Sequence, residues 1–243
     1  MENNTIFRDI YVEIFRKNGL DAYINDEIVQ KFERLTDIML ETNAVMNITA
    51  LTTLEKIIPL HYADCVAVAQ HIPVNSTVFD IGCGGGFPIL PLAIVRPDLT
   101  LVGVDSTEKK VRYVQKAADT LGLQVKTLSA RAEELGRDPA HREKYDVAIS
   151  RAVARMNVLD ELALPLVRED GLFIAMKGAA GREEMNEAIV GCARLGGTAY
   201  DVREYPLHTC DETEARTLLS VHKTASTPAE FPRSFGNIKK KPL

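Results

Sequence analysis

Residues Thr77 to Pro88, Thr-Val-Phe-Asp-Ile-Gly-Cys-Gly-Gly-Gly-Phe-Pro, pass from an apolar run ending in an acid straight into a string of glycines. Val78, Phe79 and Ile81 are β-formers, and a short continuous apolar run suits a strand buried on both faces. Pro88 suits the first turn of a helix that follows. Strand, glycine loop and helix in that order make a cradle for a nucleotide-like ligand. The glycines let the chain turn sharply and bring bare backbone close to the ligand, with amide N–H groups presented at the helix N-terminus. Spacing decides which ligand. The dinucleotide fingerprint G-x-G-x-x-G, counted from Gly82 and Gly84, needs a third glycine where this chain has Phe87, which disfavours a hydride-transfer cofactor. The phosphate-binding P-loop also fails, because no Gly-Lys-Ser or Gly-Lys-Thr occurs.

What fits is D-x-G-x-G-x-G, written by Asp80, Gly82, Gly84 and Gly86. It resembles motif I of the class I S-adenosylmethionine-dependent methyltransferases. A second acid supports the match: Thr100 to Val104 form another apolar run, ending at Asp105. A parallel neighbour strand places Asp105 at the same sheet edge as the glycine loop, where an acid can accept hydrogen bonds from both hydroxyls of a ribose.

These residues need a scaffold, and the remaining pattern supplies one. Ile6, Phe7, Ile10, Tyr11, Ile14 and Phe15 keep helical spacing and Gly19 follows as a stop. Asp26 is placed to cap a second helix carrying Ile28, Phe32, Leu35 and Met39. A third helical stretch, bent at Pro59, is expected from Thr53 to about Gln70. From residue 77 strands at 77–81, 100–104, 124–128, 145–150 and 171–176 alternate with helical segments, the signature of a parallel sheet with right-handed crossovers. After a helix near 182–195, the runs 198–204 and 216–222 read as an antiparallel pair on the sheet edge. The fold class expected is therefore α/β, a doubly wound, mostly parallel, seven-stranded, Rossmann-like sheet. Residues 1–70 form a helical extension packed on a main domain of residues 71–243.

Composition agrees with this. The chain has 243 residues, 46% hydrophobic and 26% charged, enough for one large α/β domain with an appendage. No apolar stretch approaches the roughly 20 residues of a membrane span, and the polar start has no signal-peptide core, so a soluble cytoplasmic protein is expected. The cysteines, Cys65, Cys83, Cys192 and Cys210, make no C-x-x-C pair and the five histidines are scattered, so neither a zinc site nor a disulfide framework is expected. The net charge of −5 argues against a nucleic-acid partner until its distribution is read. Residues 1–50 hold five Lys or Arg against nine Asp or Glu, whereas residues 221–243 hold five basic residues against Glu230 alone, with Lys239-Lys240-Lys241 the sharpest part.

Loops after consecutive strands converge on one crevice. The segment after the third strand, Ala130-Arg131-Ala132-Glu133, can therefore reach an adenine, with a main-chain N–H near Ala132 and the Glu133 carboxylate suited to the ring nitrogen and exocyclic amine. Glu133 equally suits the first turn of a helix, where the dipole favours an acid. The fourth strand ends in Ser150-Arg151-Ala152-Val153, which puts Arg151 at the same mouth.

The ordered set of segments carries a sharper resemblance. Asn43 to Leu51, His61-Tyr62-Ala63-Asp64, Asp80 to Pro88, Asp105-Ser106, Lys109-Lys110, Arg131-Ala132-Glu133, Ser150-Arg151-Ala152, Lys177-Gly178, Phe231-Pro232-Arg233 and Lys240-Lys241-Pro242-Leu243 together resemble the RsmG, or GidB, family of bacterial 16S ribosomal RNA guanine-N7 methyltransferases. Cys65 and Cys83 stand where many members carry serine, and Ile89 where a glycine is common. The resemblance implies S-adenosylmethionine as cofactor, held at Gly82, Phe87, Ala132, Glu133 and Arg151, to which the motif and strand reading add Gly84 and Asp105. It implies a guanine acceptor in a decoding-centre stem-loop of the small ribosomal subunit. Guanine N7 carries an in-plane lone pair, so no residue is assigned as a general base and catalysis is mostly positioning. Arg151 can anchor the cofactor carboxylate or guide an RNA group, Lys177 can reach substrate phosphate, and Arg233 and the lysine tail can add diffuse backbone contacts. His61 and Asp64, one helical turn apart, can share a hydrogen bond that orients their helix beside the glycine loop. An exocyclic-amine methyltransferase is disfavoured because no Asp-Pro-Pro-Tyr or Asn-Pro-Pro-Tyr follows the fourth strand. A methyltransferase for another acceptor, or a non-catalytic ribosome assembly factor on the same fold, shares the glycine loop.

Overall fold

The computed structural model describes residues 2–198 and 200–243; Ala199, within the expected strand 198–204, lies outside the described residues, as does Met1. The chain opens with α1 (Glu2–Lys17), which buries Phe7, Tyr11, Ile14 and Phe15 on one stripe, and Gly19 takes the left-handed conformation just beyond it (φ +68°). Helix α2 (Asp26–Asn43) is capped by Asn25 rather than by Asp26. Asn25 has the extended backbone a cap needs and its side chain accepts from the Ile28 amide at 3.0 Å, while Asp26, already inside the helix, pairs with Arg8 at 2.6 Å.

The expected third helix is broken into α3 (Leu54–Ile57), a wide π-helical turn (Ile58–Ala63) and α4 (Asp64–Ala67). Pro59 lacks the N–H that a regular helix would donate, and the wide turn accommodates it. This irregularity matters because His61 and Asp64 emerge from it.

The main sheet is built from β1 (Thr77–Ile81), β2 (Thr100–Asp105), β3 (Val125–Ser129), β4 (Tyr145–Arg151), β5 (Val167–Lys177), β6 (Asp201–His208) and β7 (Thr213–His222). Interspersed are α5 (Ile89–Val95), α6 (Glu108–Thr120), the single turn α7 (Ala132–Leu135), α8 (Met156–Ala163), α9 (Gly181–Arg194) and, at the end, α10 (Phe235–Lys240). Strand order is β3-β2-β1-β4-β5-β7-β6, parallel through β5, with β7 antiparallel to both β5 and β6. The β6–β7 pair thus forms the expected antiparallel edge. β5 starts four residues before the expected run, because the chain kinks at Asp170 (φ +61°) and then continues in the ladder.

Side chains alternate across this sheet into two cores. Val78, Leu101, Val147, Ile149 and Ile174 meet α1, α2, α5 and α6 on one face; Phe79, Ile81, Ala148, Phe173 and Ala175 meet α8 and α9 on the other. Each large side chain buried this way contributes about 1.5–3 kcal/mol, which accounts for the near-continuous apolar character of the central strands. An aromatic column on the first face passes from Phe32 through Tyr62, with ring centroids 4.7 Å apart, to Phe87 of the glycine loop, 6.3 Å further. The Thr36 hydroxyl donates to the Phe32 carbonyl and accepts from Tyr62 at 2.7 Å, which locks that column to α2.

After β7 the chain returns across the second face. Glu161 of α8, fully buried, accepts from the Arg233 amide at 2.7 Å and from its guanidinium at 2.8 and 2.5 Å. Ile238 is buried against this core and the terminal Leu243 packs so close to Gly191 of α9 that a Cβ there would lie 2.6 Å from it. Arg233→Ala leaves a carboxylate in an apolar wall without its counter-charge. A loss of about 3 kcal/mol in urea-unfolding stability is expected, with most of it restored in Arg233→Lys.

Candidate active site

The register of the parallel strands brings their carboxyl ends into line: Ile81 is level with Val104 and Ser150, Asp105 with Ser129, and Arg151 with Met176. β1 lies between β2 and β4, so the order reverses there, and a crevice must open above it. A cavity of about 520 Å³ occupies that place. Gly82 leaves β1 with φ +70°, and a Cβ on it would lie 2.6 Å from Val153, so a side chain there is excluded twice over. Gly84 (φ +49°) points its amide at Asp105 Oδ2, 3.1 Å away, while Asp105 Oδ1 accepts from the Thr107 amide at 2.8 Å. One acid therefore holds the glycine loop and its own loop together, and each oxygen keeps a lone pair for a ligand.

The roof comes from the segment after α2. Asn43 Oδ1 accepts from the amides of Ile48 and Thr49 at 2.6 and 3.0 Å, which folds Ile48 over Gly85. Thr49 Oγ1 meets His61 Nε2 at 2.8 Å, and His61 Nδ1 meets Arg151 Nη2 at 3.1 Å. A guanidinium only donates, so Nδ1 is the acceptor and the proton sits on Nε2. Burial, and next the Arg151 charge, push the His61 pKa down to about 3, which keeps the ring neutral. The ring lies flat on Phe87, centroids 4.1 Å apart, and the Arg151 guanidinium sits 5.3 Å from the centroid of the same Phe87 ring.

Arg151 is the hub. Its Nη1 donates to the Leu60 carbonyl at 2.9 Å and to Asp64 at 3.3 Å, so three of its five N–H groups are engaged by the π-helical turn and the first residue of α4, and two remain. The other Asp64 oxygen accepts from Arg216 at 3.1 Å. Beyond Arg151 a second cavity of about 590 Å³ opens over the ends of β4 and β5, and His61, Arg151, Ala152 and Val153 wall both. Behind the glycine loop Asp80 is buried, and neither of its oxygens accepts a hydrogen bond from a described residue. Burial pushes its pKa up to about 7, opposed by the Arg151 charge and by the Ile89 amide, which does not reach hydrogen-bond geometry.

This geometry can be set beside known proteins. A family model described as rRNA small subunit methyltransferase G (GidB) matches residues 28–209. The ribosomal RNA small subunit methyltransferase G of Clostridium perfringens (strain 13 / Type A) is 38% identical over 238 residues, covering 96% of this chain and 99% of the relative. The chain belongs to the GidB family. A relative of the same description from Deinococcus deserti is 40% identical over 228 residues, covering 93% of this chain and 91% of its own. Among solved structures, an O-methyltransferase from Bacillus cereus in complex with SAH aligns with TM-score 0.52 at 16% identity, covering 78% of this chain and 90% of that one, a likeness of fold.

The structure of this GidB-family chain brings Gly82, Gly84, Phe87, Asp105, Ala132, Glu133 and Arg151 to the wall of the first cavity. Lys177 walls the second, with its ammonium on the Ala154 carbonyl at 2.6 Å and on Glu184 at 2.8 Å. Arg233, held by Glu161, walls neither of these two cavities. Both cations are inside internal ion pairs, with Glu184 and Glu161. His61 and Asp64 do not bond to each other: a wide turn spreads residues three apart off a common face, and each reaches Arg151 instead. Ile48, Val153 and Phe235 also wall the first cavity and were not legible as site residues. Phe235, an apolar residue in a polar tail, lies beneath the Arg131 guanidinium, 5.8 Å from its ring centroid.

Asp80 makes stability depend on pH. Its folded pKa stands above the unfolded value of about 3.9, so from pH 4 to 7 the unfolded chain releases a proton that the folded chain keeps. Stability falls across that window and the cost is constant above it. Asp80→Asn is expected to match the parent at pH 4 and to exceed it by about 2–4 kcal/mol at pH 8 in denaturant titrations at both pH values.

Proposed function

We propose that this chain transfers the methyl group of S-adenosylmethionine to N7 of a guanine in 16S ribosomal RNA, presented by the small ribosomal subunit in the cytoplasm. The observation that carries the reading is the junction of the two cavities at Arg151. One cavity is lined by the glycine loop and Asp105, and the titratable groups at the junction are all engaged.

The first cavity fits the cofactor. Asp105 offers free lone pairs for the two ribose hydroxyls, and the Ala132 amide and Glu133 carboxylate, at the start of α7, suit the adenine edge. The two N–H groups left on Arg151 suit the carboxylate of the amino-acid end. Asp80, buried beneath the loop with no hydrogen-bond donor among the described residues, suits a cationic ligand above it, which lowers the cost of its ionisation. The bound cofactor supplies an electrophilic methyl on a sulfonium.

The chain's own residues then position and exclude. His61 is neutral, with Nδ1 facing Arg151 and its proton committed to Thr49; both Asp64 oxygens are held by arginines. His61 therefore has no free basic nitrogen, and Asp64 serves as the counter-ion of two arginines. An acceptor that already carries a lone pair, as guanine N7 does, needs no base and reacts once it is held in line. Ile48 above the loop and Val153 between the cavities keep apolar surface around the transfer path.

The test is transfer from radiolabelled S-adenosylmethionine to small subunits purified from a strain lacking the protein, with the product base mapped. Label at one guanine N7 is expected, reduced by about 100-fold in Arg151→Ala. Label on a free metabolite or peptide, or none on subunits despite cofactor binding, would replace this reading by a methyltransferase for another acceptor or by an assembly factor.

A further inference from the structure

The second cavity has a feature the methyl-transfer reading does not use. Its wall between β5 and α9 carries Lys177 and Glu184 side by side, both largely buried, with side-chain exposures of 8% and 16%. Glu184 Oε2 is fixed by the Lys177 ammonium at 2.8 Å and by the Met156 amide at 3.1 Å, whereas Oε1 accepts no hydrogen bond from a described residue. Lys177 spends two of its three N–H groups, on Glu184 and the Ala154 carbonyl, and keeps one. The opposite wall differs: each Asp64 oxygen already accepts from an arginine, Arg151 or Arg216, and Arg155 at the rim is paired with Glu187 at 2.7 Å. Among the described residues walling this cavity, Glu184 is therefore the carboxylate with an oxygen that accepts no hydrogen bond, and a cation with a spare donor lies directly beside it.

A donor next to an acceptor is a code for a base edge. Guanine presents the O6 acceptor beside the N1–H donor, followed by the 2-amino donor; adenine presents the N6 donor beside the N1 acceptor, the reverse order. The remaining N–H of Lys177 matches O6, and Glu184 Oε1 matches the 2-amino group at the far end of the same edge. A base held by that edge turns its N7 side away from the Lys177–Glu184 wall, the orientation methylation at N7 requires.

We propose that this cavity is the guanine pocket and that Glu184, with Lys177, is the specificity-determining pair that reads the Watson–Crick edge of the target base. The assignment rests on the guanine-N7 reading above and goes beyond it by naming what selects the base. Lys177 then contacts the base itself and not a phosphate. Glu184→Gln keeps an oxygen for Lys177 but turns an amide donor toward the donors of guanine.

The experiment compares single-turnover methyl transfer to small subunits reconstituted with 16S RNA carrying either guanosine or inosine at the target position. Inosine keeps O6, N1–H and N7 and lacks only the 2-amino group. The unsubstituted protein is expected to act on inosine about 10- to 100-fold more slowly, the range for one hydrogen bond to a charged group. Glu184→Gln is expected to slow transfer to guanosine and to bring the two substrates within about threefold of each other, with labelled-cofactor binding retained and the unfolding temperature lowered because Lys177 loses its counter-charge. A purely structural Glu184 would slow both substrates alike and preserve their ratio, and that result overturns the assignment. So does equal transfer to guanosine and inosine by the unsubstituted protein, a result that needs no variant to fold. Transfer to neither substrate overturns the guanine-N7 reading, and the pocket with it.

Discussion

The guanidinium of Arg151 is the constraint on which the site depends. It is fixed at the end of β4 by the sheet and gripped by three groups of one broken helix, the Leu60 carbonyl and His61 of the π-helical turn and Asp64 at the start of α4. Through them the end of the parallel sheet is tied to the helical segment that precedes it. A regular helix would not offer a backbone carbonyl and two side chains to one cation, because its carbonyls are committed to its own ladder. The π-helical turn at Pro59 frees that geometry, and a backbone irregularity there is part of how the site is built.

From this hub the two cavities take their shapes. Toward β1 and β2 the geometry is set mainly by backbone: glycines in conformations that side chains avoid, and one acid that both closes the loop and faces the cavity. Toward β5 it is set by paired charges, each fixed by a neighbour before any substrate arrives. Such preorganisation suits a reaction whose acceptor needs alignment more than activation.

The acidic net charge is reconciled with an RNA substrate by distribution. Most cations near the site are inside ion pairs and shape it, whereas Lys239, Lys240 and Lys241 are exposed on and just beyond α10, the short helix that also carries Phe235 to the cavity. Arg233 and Leu243 anchor the two ends of that segment to α8 and α9. The basic tail is thereby held near the crevice, in a position to add backbone attraction where the substrate must dock.

The amino-acid order alone determined the layered fold and the first cavity. A parallel strand buried on both faces, a glycine loop and an acid ending the next strand are local patterns, and the rule that loops gather at the carboxyl edge of such a sheet turns them into a site. Gly82, Asp105, Glu133 and Arg151 were therefore legible one segment at a time. Contacts between segments were not. The partner of a charged side chain depends on which groups lie within about 4 Å after folding, and spacing along the chain says little about that. So His61 and Asp64, expected to pair, meet at Arg151 from a break in the helix that no periodicity revealed; Lys177 and Arg233, expected to reach RNA, are held by Glu184 and Glu161. Phe235 and Ile48, ordinary apolar residues in polar segments, become walls of the cavity only because the chain ends are folded across it. Which residues line the first cavity was written in local pattern; which are already bound to one another was decided by tertiary structure, because that is a question of distance in space.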